Sequence, residues 1–170
     1  MKFRVGFSTT ASLWSKLIKL ITKSNVSHVY IRLEDDFLGA QLIIHSDLYG
    51  VAIDYLDTFK QTNKIIVEYE MEHNNFEKVI KNNFKFLGKK YDYSLLFSHW
   101  WFIIFKRWFT KKIENPLVDP LKIICIDFVL RILNELEITQ LPYKVLTPKD
   151  LCKFLNDHHE KEGWRKIEHK

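Results

Sequence analysis

The hydrophobic pattern of this chain gives way from mainly strand-like to helical spacing near residue 75, and that change constrains the fold more than any single motif. Upstream, polar and apolar side chains alternate in short runs, the two-residue repeat of strands with one buried face. Residues 2–8 begin as such a strand and then meet Ser8, Thr9 and Thr10, which read as a loop. Between Val26 and Leu33, the apolar Val29, Ile31 and Leu33 alternate with His28, Tyr30 and Arg32. Gln41 to His45, Val51 to Ile53 and Lys64 to Glu70 supply further strands, the last with Ile65, Val67 and Tyr69 on one side. Asp57 to Asn63 reads as a connecting turn. Short strands at this spacing predict an antiparallel meander, with no need for parallel crossovers.

Helical spacing interrupts this pattern once, at residues 11–22, where Leu13, Leu17, Leu20 and Ile21 share a side. Ser12 is placed to cap that helix, and Lys16, Lys19 and Lys23 occupy its other faces. From Asn75 the three- and four-residue spacing takes over. Phe76, Val79, Ile80, Phe84 and Leu87 mark a helix that stops at Gly88, and Leu121 to Leu136 forms a second one. Thr147-Pro148-Lys149-Asp150 carries a start signal for a last helix, Leu151 to Leu155, followed by a polar tail in which Trp164 docks. The expected class is α+β, an antiparallel sheet packed against helices.

At 170 residues the chain suits one domain with a substantial core, and no boundary or internal repeat divides it. Hydrophobic residues at 46% and only 5 Gly and 4 Pro exclude a disordered or collagen-like chain. The charge of +5 favours attraction to anionic lipid or acidic substrates, and an anionic membrane surface is a possible peripheral partner. That charge comes from 21 Lys and 5 Arg, a balance that argues against specific nucleic-acid reading. Cys125 and Cys152 are too few for a disulfide framework and too distant for a metal knuckle, so a reducing, cytoplasmic setting is expected. No run approaches the ~20 apolar residues of a membrane span, and no glycine-rich loop offers a phosphate site, so no cofactor is expected.

Candidate chemistry gathers at Cys125 and two histidines. Cys125 stands near the start of a predicted long helix, where unpaired N–H groups and the helix field favour a thiolate. Its competing use is as a small core hydrophobe. His28 lies on the polar alternation of its strand, placed either to take a proton from that thiol or to sit on the surface as an ordinary strand residue. His45 ends the next strand; if the two strands pair, it can orient the first imidazole, with Asp47 as a rival. Asp127 follows the cysteine by two residues, faces elsewhere on the helix and reads as structural. Zinc held by His28, His45 and Cys125 is a further use of the same side chains. His158-His159 lies in the polar tail.

Taken together, these segments resemble the circularly permuted branch of the NlpC-type papain-fold cysteine hydrolases, which includes the YiiX-like and lecithin–retinol acyltransferase-like proteins. Ser27 to Ile31 is similar to the family's histidine strand, Ile44-His45 with Tyr49-Gly50-Val51 to the next strand, and Gly88-Lys89-Lys90-Tyr91-Asp92 to its Gly-x-x-Tyr-Asp turn. Cys125-Ile126-Asp127-Phe128-Val129 matches the nucleophile helix, and Thr147 to Leu151 a late Thr-Pro-x-Asp-Leu element. The resemblance implies a permuted papain-like domain spanning residues 1–170, with Cys125 as nucleophile, His28 as base and His45 as orienter. It also puts Tyr91 near the cleft, as an oxyanion donor or as an aromatic shelf.

The activity so implied is hydrolysis of a peptide or isopeptide amide through an acyl-enzyme, with a peptide or other acyl-containing molecule as substrate. A lipid-directed thiol hydrolase or acyltransferase is the second expectation, and an inactive binding protein on the same fold the third. Two departures from the family pattern bear on this choice. Ile126 replaces a small polar residue and suggests a greasier pocket. An aromatic and basic insert at about 95–115, including Trp100, Trp101, Arg107 and Trp108, suits a lid, an interfacial anchor or a helix packed on the sheet.

Overall fold

A computed structural model of the chain describes residues 1–35, 39–47, 50–88, 126–141 and 147–169. Its centre is a six-stranded antiparallel sheet in the order β4-β3-β2-β1-β5-β6. The strands are β1 (Lys2–Thr10), β2 (His28–Asp35), β3 (Ala40–Asp47), β4 (Gly50–Tyr55), β5 (Asn63–Glu72) and β6 (Arg165–Glu168). Helices α1 (Leu13–Thr22), α2 (Leu56–Thr62), α3 (Phe76–Asn83), α4 (Ile126–Glu135) and α5 (Pro148–His158) surround it, and a 3-10 turn at Phe84–Phe86 follows α3. The expected α+β class is present, and β1–β4 form the expected meander, but β5 departs from it by returning to pair with β1 instead of adding beside β4. The aromatic insert, Tyr91 and Cys125 fall outside the described residues.

Strand alternation divides the sheet into two unlike faces. Phe3, Val5 and Phe7 of β1, Val29 and Ile31 of β2, and Ile44 of β3 point to one side and join a continuous apolar core. Helix α3 contributes Phe76 and Ile80 to that core, α4 contributes Ile126, Val129 and Leu133, and α5 contributes Leu151 and Leu155. Phe3 stacks on Phe76 with ring centres 3.9 Å apart. Burying a side chain of this size stabilises by about 1.5–3 kcal/mol, so this face supplies most of the fold's hydrophobic free energy. The other face carries Tyr30, Ile43 and Ile65, which form a small second cluster with Leu56 and Phe59 of α2.

Several local expectations are corrected. Residues 57–62 do not form a simple turn: α2 occupies them, held by the buried pair Leu56 and Phe59 at i and i+3, too short a pattern to display a period, and Asn63 already begins β5. β1 runs on to Thr10 rather than yielding to a loop after Ser8. Gly6 within it allows Tyr30 to cross the strand, because a Cβ there would lie 2.1 Å from the tyrosine ring. Ile65 does not share a side with Val67 and Tyr69. The register shifts where Phe7 pairs with Val67 but Ser8 with Ile65, which turns Ile65 to the opposite face. The polar tail contributes β6, paired with β5 from Val67↔Glu168 to Glu70↔Arg165.

The helix signals hold at two ends. Thr147 and Asp150 form a capping box at the start of α5, with Pro148 in its first turn. Ser12 caps α1 by accepting from the Ser15 N–H at 3.1 Å. From α1, Ser15 faces the body: its Oγ lies 2.6 Å from Ser27 Oγ and 3.1 Å from Thr9 Oγ1. Leu13 and Leu20 point outward at 80% and 74% exposure. Lys149 Nζ donates to the Thr22 and Lys23 carbonyls at 3.1 Å each, complementing the helix C-terminus.

Candidate functional site

The antiparallel pairing of β2 with β3 places Tyr30 opposite His45, and β1 pairs Ser8 with His28 at the very start of β2. His28 and His45 consequently share the face that carries Tyr30 and Ile43. Their rings meet edge to face, and His28 Nε2 lies 3.2 Å from His45 Nδ1. The expectation that strand pairing would bring the two imidazoles together is met.

One further residue, overlooked in the sequence, completes this group. His45 Nε2 lies 2.9 Å from Asp54 Oδ2. Asp54 comes from β4, whose pairing sets Ala52 opposite His45 and Asp54 opposite Ile43, so Asp54 is a diagonal neighbour on the same face. The Phe59 ring of α2 borders both imidazoles, with centres 6.1 Å from His28 and 5.3 Å from His45. Burial, with His45 beside it, holds the His28 pKa down at about 3, so this ring is neutral near pH 7. A neutral imidazole has one bare nitrogen available to accept a proton.

A second polar group occupies the same face, nearer β5. Glu68, fully buried at 0% exposure, accepts from the Tyr30 hydroxyl at 2.9 Å and pairs with Arg32 Nη1 at 3.1 Å. Arg4 Nη1 approaches it at 3.6 Å and His169 Nε2 at 3.0 Å. Arg32 Nη2 also donates to Gln41 Oε1 at 2.8 Å. Burial and the adjacent Glu68 carboxylate push the Tyr30 hydroxyl well above its ordinary pKa, so it serves as a hydrogen-bond donor.

The remaining expected site residues divide between known and undescribed positions. Cys125 and Tyr91, as well as the side chains of Asp47 and Asp127, lie outside what is described. Ile126 is buried in the core. Cys152 lies half-buried on α5, and burial pushes its thiol pKa up, the opposite of an activated nucleophile. His158 and His159 bond to separate carbonyls, those of Phe154 and Asn156, rather than forming one cluster. Among the described residues, no three His, Cys, Asp or Glu side chains converge as a metal-holding group. A surface depression along α3, lined by Asn74, Glu77 and Lys81 among others, shares no residue with the histidine group.

Helix α4, which begins one residue after Cys125, packs on β2 and β3, the strands that carry His28 and His45. Its apolar side meets the Val29, Ile31 and Ile44 face, whereas the imidazoles project from the opposite face. His28 is the first residue of β2 and so stands at the end of the sheet. No helix among the described residues is long and apolar enough to cross a membrane. No protein-family model matches the chain, and the comparison with curated proteins gives no match.

Proposed function

We propose that this chain is a thiol hydrolase on a permuted papain-like (NlpC-type) domain, cleaving a peptide or isopeptide amide through an acyl-enzyme. The observation that supports this reading is the His28–His45 contact. It occupies Nε2 of a neutral His28 and leaves Nδ1 without a hydrogen-bond partner among the described residues. A general base needs such a combination: a bare nitrogen, an uncharged ring and a fixed orientation.

Cys125 is the proposed nucleophile, immediately before α4, where helix-start N–H groups favour a thiolate and can donate to an oxyanion. His28 Nδ1 accepts the thiol proton as sulfur bonds to the acyl carbon. The protonated pair then donates that proton to the departing amine as the C–N bond breaks, and water hydrolyses the thioester with the same imidazole as base. Tyr91 is a second oxyanion donor in this scheme. This scheme requires the thiol to reach His28 around the end of the sheet where β2 begins, because α4 packs on the face opposite the imidazoles.

A lipid-directed thiol hydrolase or acyltransferase is the second reading, favoured by α1. Its outward leucines, Leu13 and Leu20, share the solvent side with the exposed Lys16 and Lys23, a combination suited to an anionic interface.

Intact-protein mass spectrometry after exposure to peptide, ester and phospholipid acyl donors tests both readings. An acyl adduct mapped to Cys125 is expected, and the donor that forms it separates amide from lipid chemistry. Cys125→Ala should abolish the adduct and turnover, and His28→Ala should lower turnover on the order of 10²–10⁴-fold. Cys152→Ala should leave both unchanged. Turnover that survives Cys125→Ala would sink the thiol mechanism.

A further inference from the structure

The chain His28–His45–Asp54 assigns protons as well as positions. Asp54 Oδ2 lies 2.9 Å from His45 Nε2, and a carboxylate has only lone pairs to offer. His45 Nε2 must therefore carry a hydrogen. In a neutral His45 that leaves Nδ1 bare, and the polar atom facing it is His28 Nε2 at 3.2 Å. This contact is a hydrogen bond only if His28 donates from Nε2. His28 Nδ1 is then the bare nitrogen of the group. The identity of the atom on β4 thus decides which nitrogen two strands away can act as a base.

We propose that Asp54 is a positioning residue that fixes both imidazoles as Nε2–H tautomers and holds the added positive charge on His45 once His28 takes a proton. For its catalytic consequence this rests on the thiol-hydrolase reading; the tautomer assignment does not. The proton balance is closed. A proton arrives at His28 Nδ1, the Nε2 hydrogen of His28 passes to His45 Nδ1, and His45 becomes an imidazolium paired with the Asp54 carboxylate. His28 is left neutral with its hydrogen on Nδ1, ready to donate to a leaving group. No bond other than N–H is made or broken within the group, and reversing the shift restores the resting tautomers.

One contact favours charge on His45 over His28. Asp54 touches His45 and does not touch His28, so Coulombic stabilisation falls on the nearer ring. Among acidic side chains on this face, Glu68 is engaged by Tyr30, Arg32, Arg4 and His169. Among the acidic side chains described on this face, Asp54 is the one in contact with the histidine pair.

Histidine tautomers can be read directly, without turnover. Full-length protein labelled with ¹⁵N at imidazole should show, at neutral pH, hydrogen-bearing Nε2 and bare Nδ1 signals for both His28 and His45. In Asp54→Ala the His45 signals should shift toward a tautomer mixture, and those of His28 should follow. A hydrogen on His28 Nδ1 in the resting wild-type protein, or tautomers unchanged by Asp54→Ala, would overturn the proposal. Should that variant fail to fold, the wild-type pattern alone decides.

Where turnover is measurable, Asp54→Ala should lower kcat on the order of 10-fold or more, with KM little changed. An equal loss in KM alone would instead indicate a substrate contact. If the tautomers are as assigned but Cys125 forms no acyl adduct, the hydrolase reading fails while the proton assignment stands.

Discussion

Two polar groups share one face of the sheet, and they differ in what they leave open. Around Glu68, a fully buried carboxylate meets a phenol, two guanidiniums and an imidazole, and its oxygens are engaged from several sides. Around His45, three side chains form a line that ends at a ring nitrogen with no partner among the described residues. Tyr30 stands between the groups: it pairs with His45 across the strands and donates to Glu68. The same alternation that built both groups leaves the Glu68 oxygens engaged and the histidine line open-ended. A saturated polar network holds strands in register, whereas an open-ended one has capacity left to exchange a proton.

The largest test of this contrast is Glu68→Ala. Arg32 is 6% exposed, and together with Arg4 and Tyr30 it would lose the acceptor around which the group is built. Removing one partner of a buried ion pair costs about 3–5 kcal/mol, because the desolvation of the other is no longer offset. Urea unfolding of the variant should show a loss of that size. Glu68→Gln, which keeps an acceptor oxygen, should lose less. A loss below about 1 kcal/mol for Glu68→Ala would mean that this network is not what holds β1, β2 and β5 in register.

A smaller effect should come from pH and from the other group. Folding lowers the His28 pKa from 6.5 to about 3, through burial first and the neighbouring His45 second. Between those values the unfolded chain holds a proton that the folded protein has released. Stability therefore rises with pH through this window and falls on acidification. One proton held by the unfolded chain alone changes stability by about 1.4 kcal/mol for each pH step, so going from pH 6.5 to 5 should cost about 1–2 kcal/mol. Staying above pH 5 avoids the carboxylates such as Glu70, whose bonds from Arg4 and Arg165 outweigh burial and hold its pKa below normal. His28→Gln should flatten that part of the profile. Equal slopes in the two proteins would show that His28 is not held neutral by the fold.

Strand alternation made most of the sheet legible. It separated Val29, Ile31 and Leu33 from His28, Tyr30 and Arg32, and it placed His28 and His45 where pairing would join them. The Thr147–Asp150 start signal was equally plain, because a capping box is a local arrangement of four residues. Asp54 was harder to find because it depends on register. The connection from Asp47 to Gly50 spans only two residues, and that length sets His45 opposite Ala52 and Ile43 opposite Asp54. Counting from that turn would have found Asp54. The shift at Phe7–Ser8 and the turning of Ile65 arise from pairing between strands distant in sequence, which no short window reveals. α1 shows another limit: its leucine spacing predicted a helix correctly, but Leu13 and Leu20 of that stripe stand in solvent while Ser15 bonds to Thr9 and Ser27.

The smallest expected effect sharpens the comparison most, because it applies the same truncation to the other carboxylate. The Asp54 side chain is 39% exposed, and among the described residues its side-chain partner is His45 Nε2 at 2.9 Å. Water can replace much of what it supplies, so Asp54→Ala should cost about 1 kcal/mol or less in urea unfolding. Two acids on one face would then differ several-fold in their contribution to stability, with Glu68 the larger. If Asp54 matters instead for proton placement, its variant should be nearly as stable as the parent and yet altered in histidine tautomer. A loss of about 3 kcal/mol or more at Asp54 would erase the distinction, since both groups would then be structural. Near-neutral stability with shifted tautomers would locate the functional demand at the open-ended group, because a residue that contributes little to the fold would still control where its proton resides.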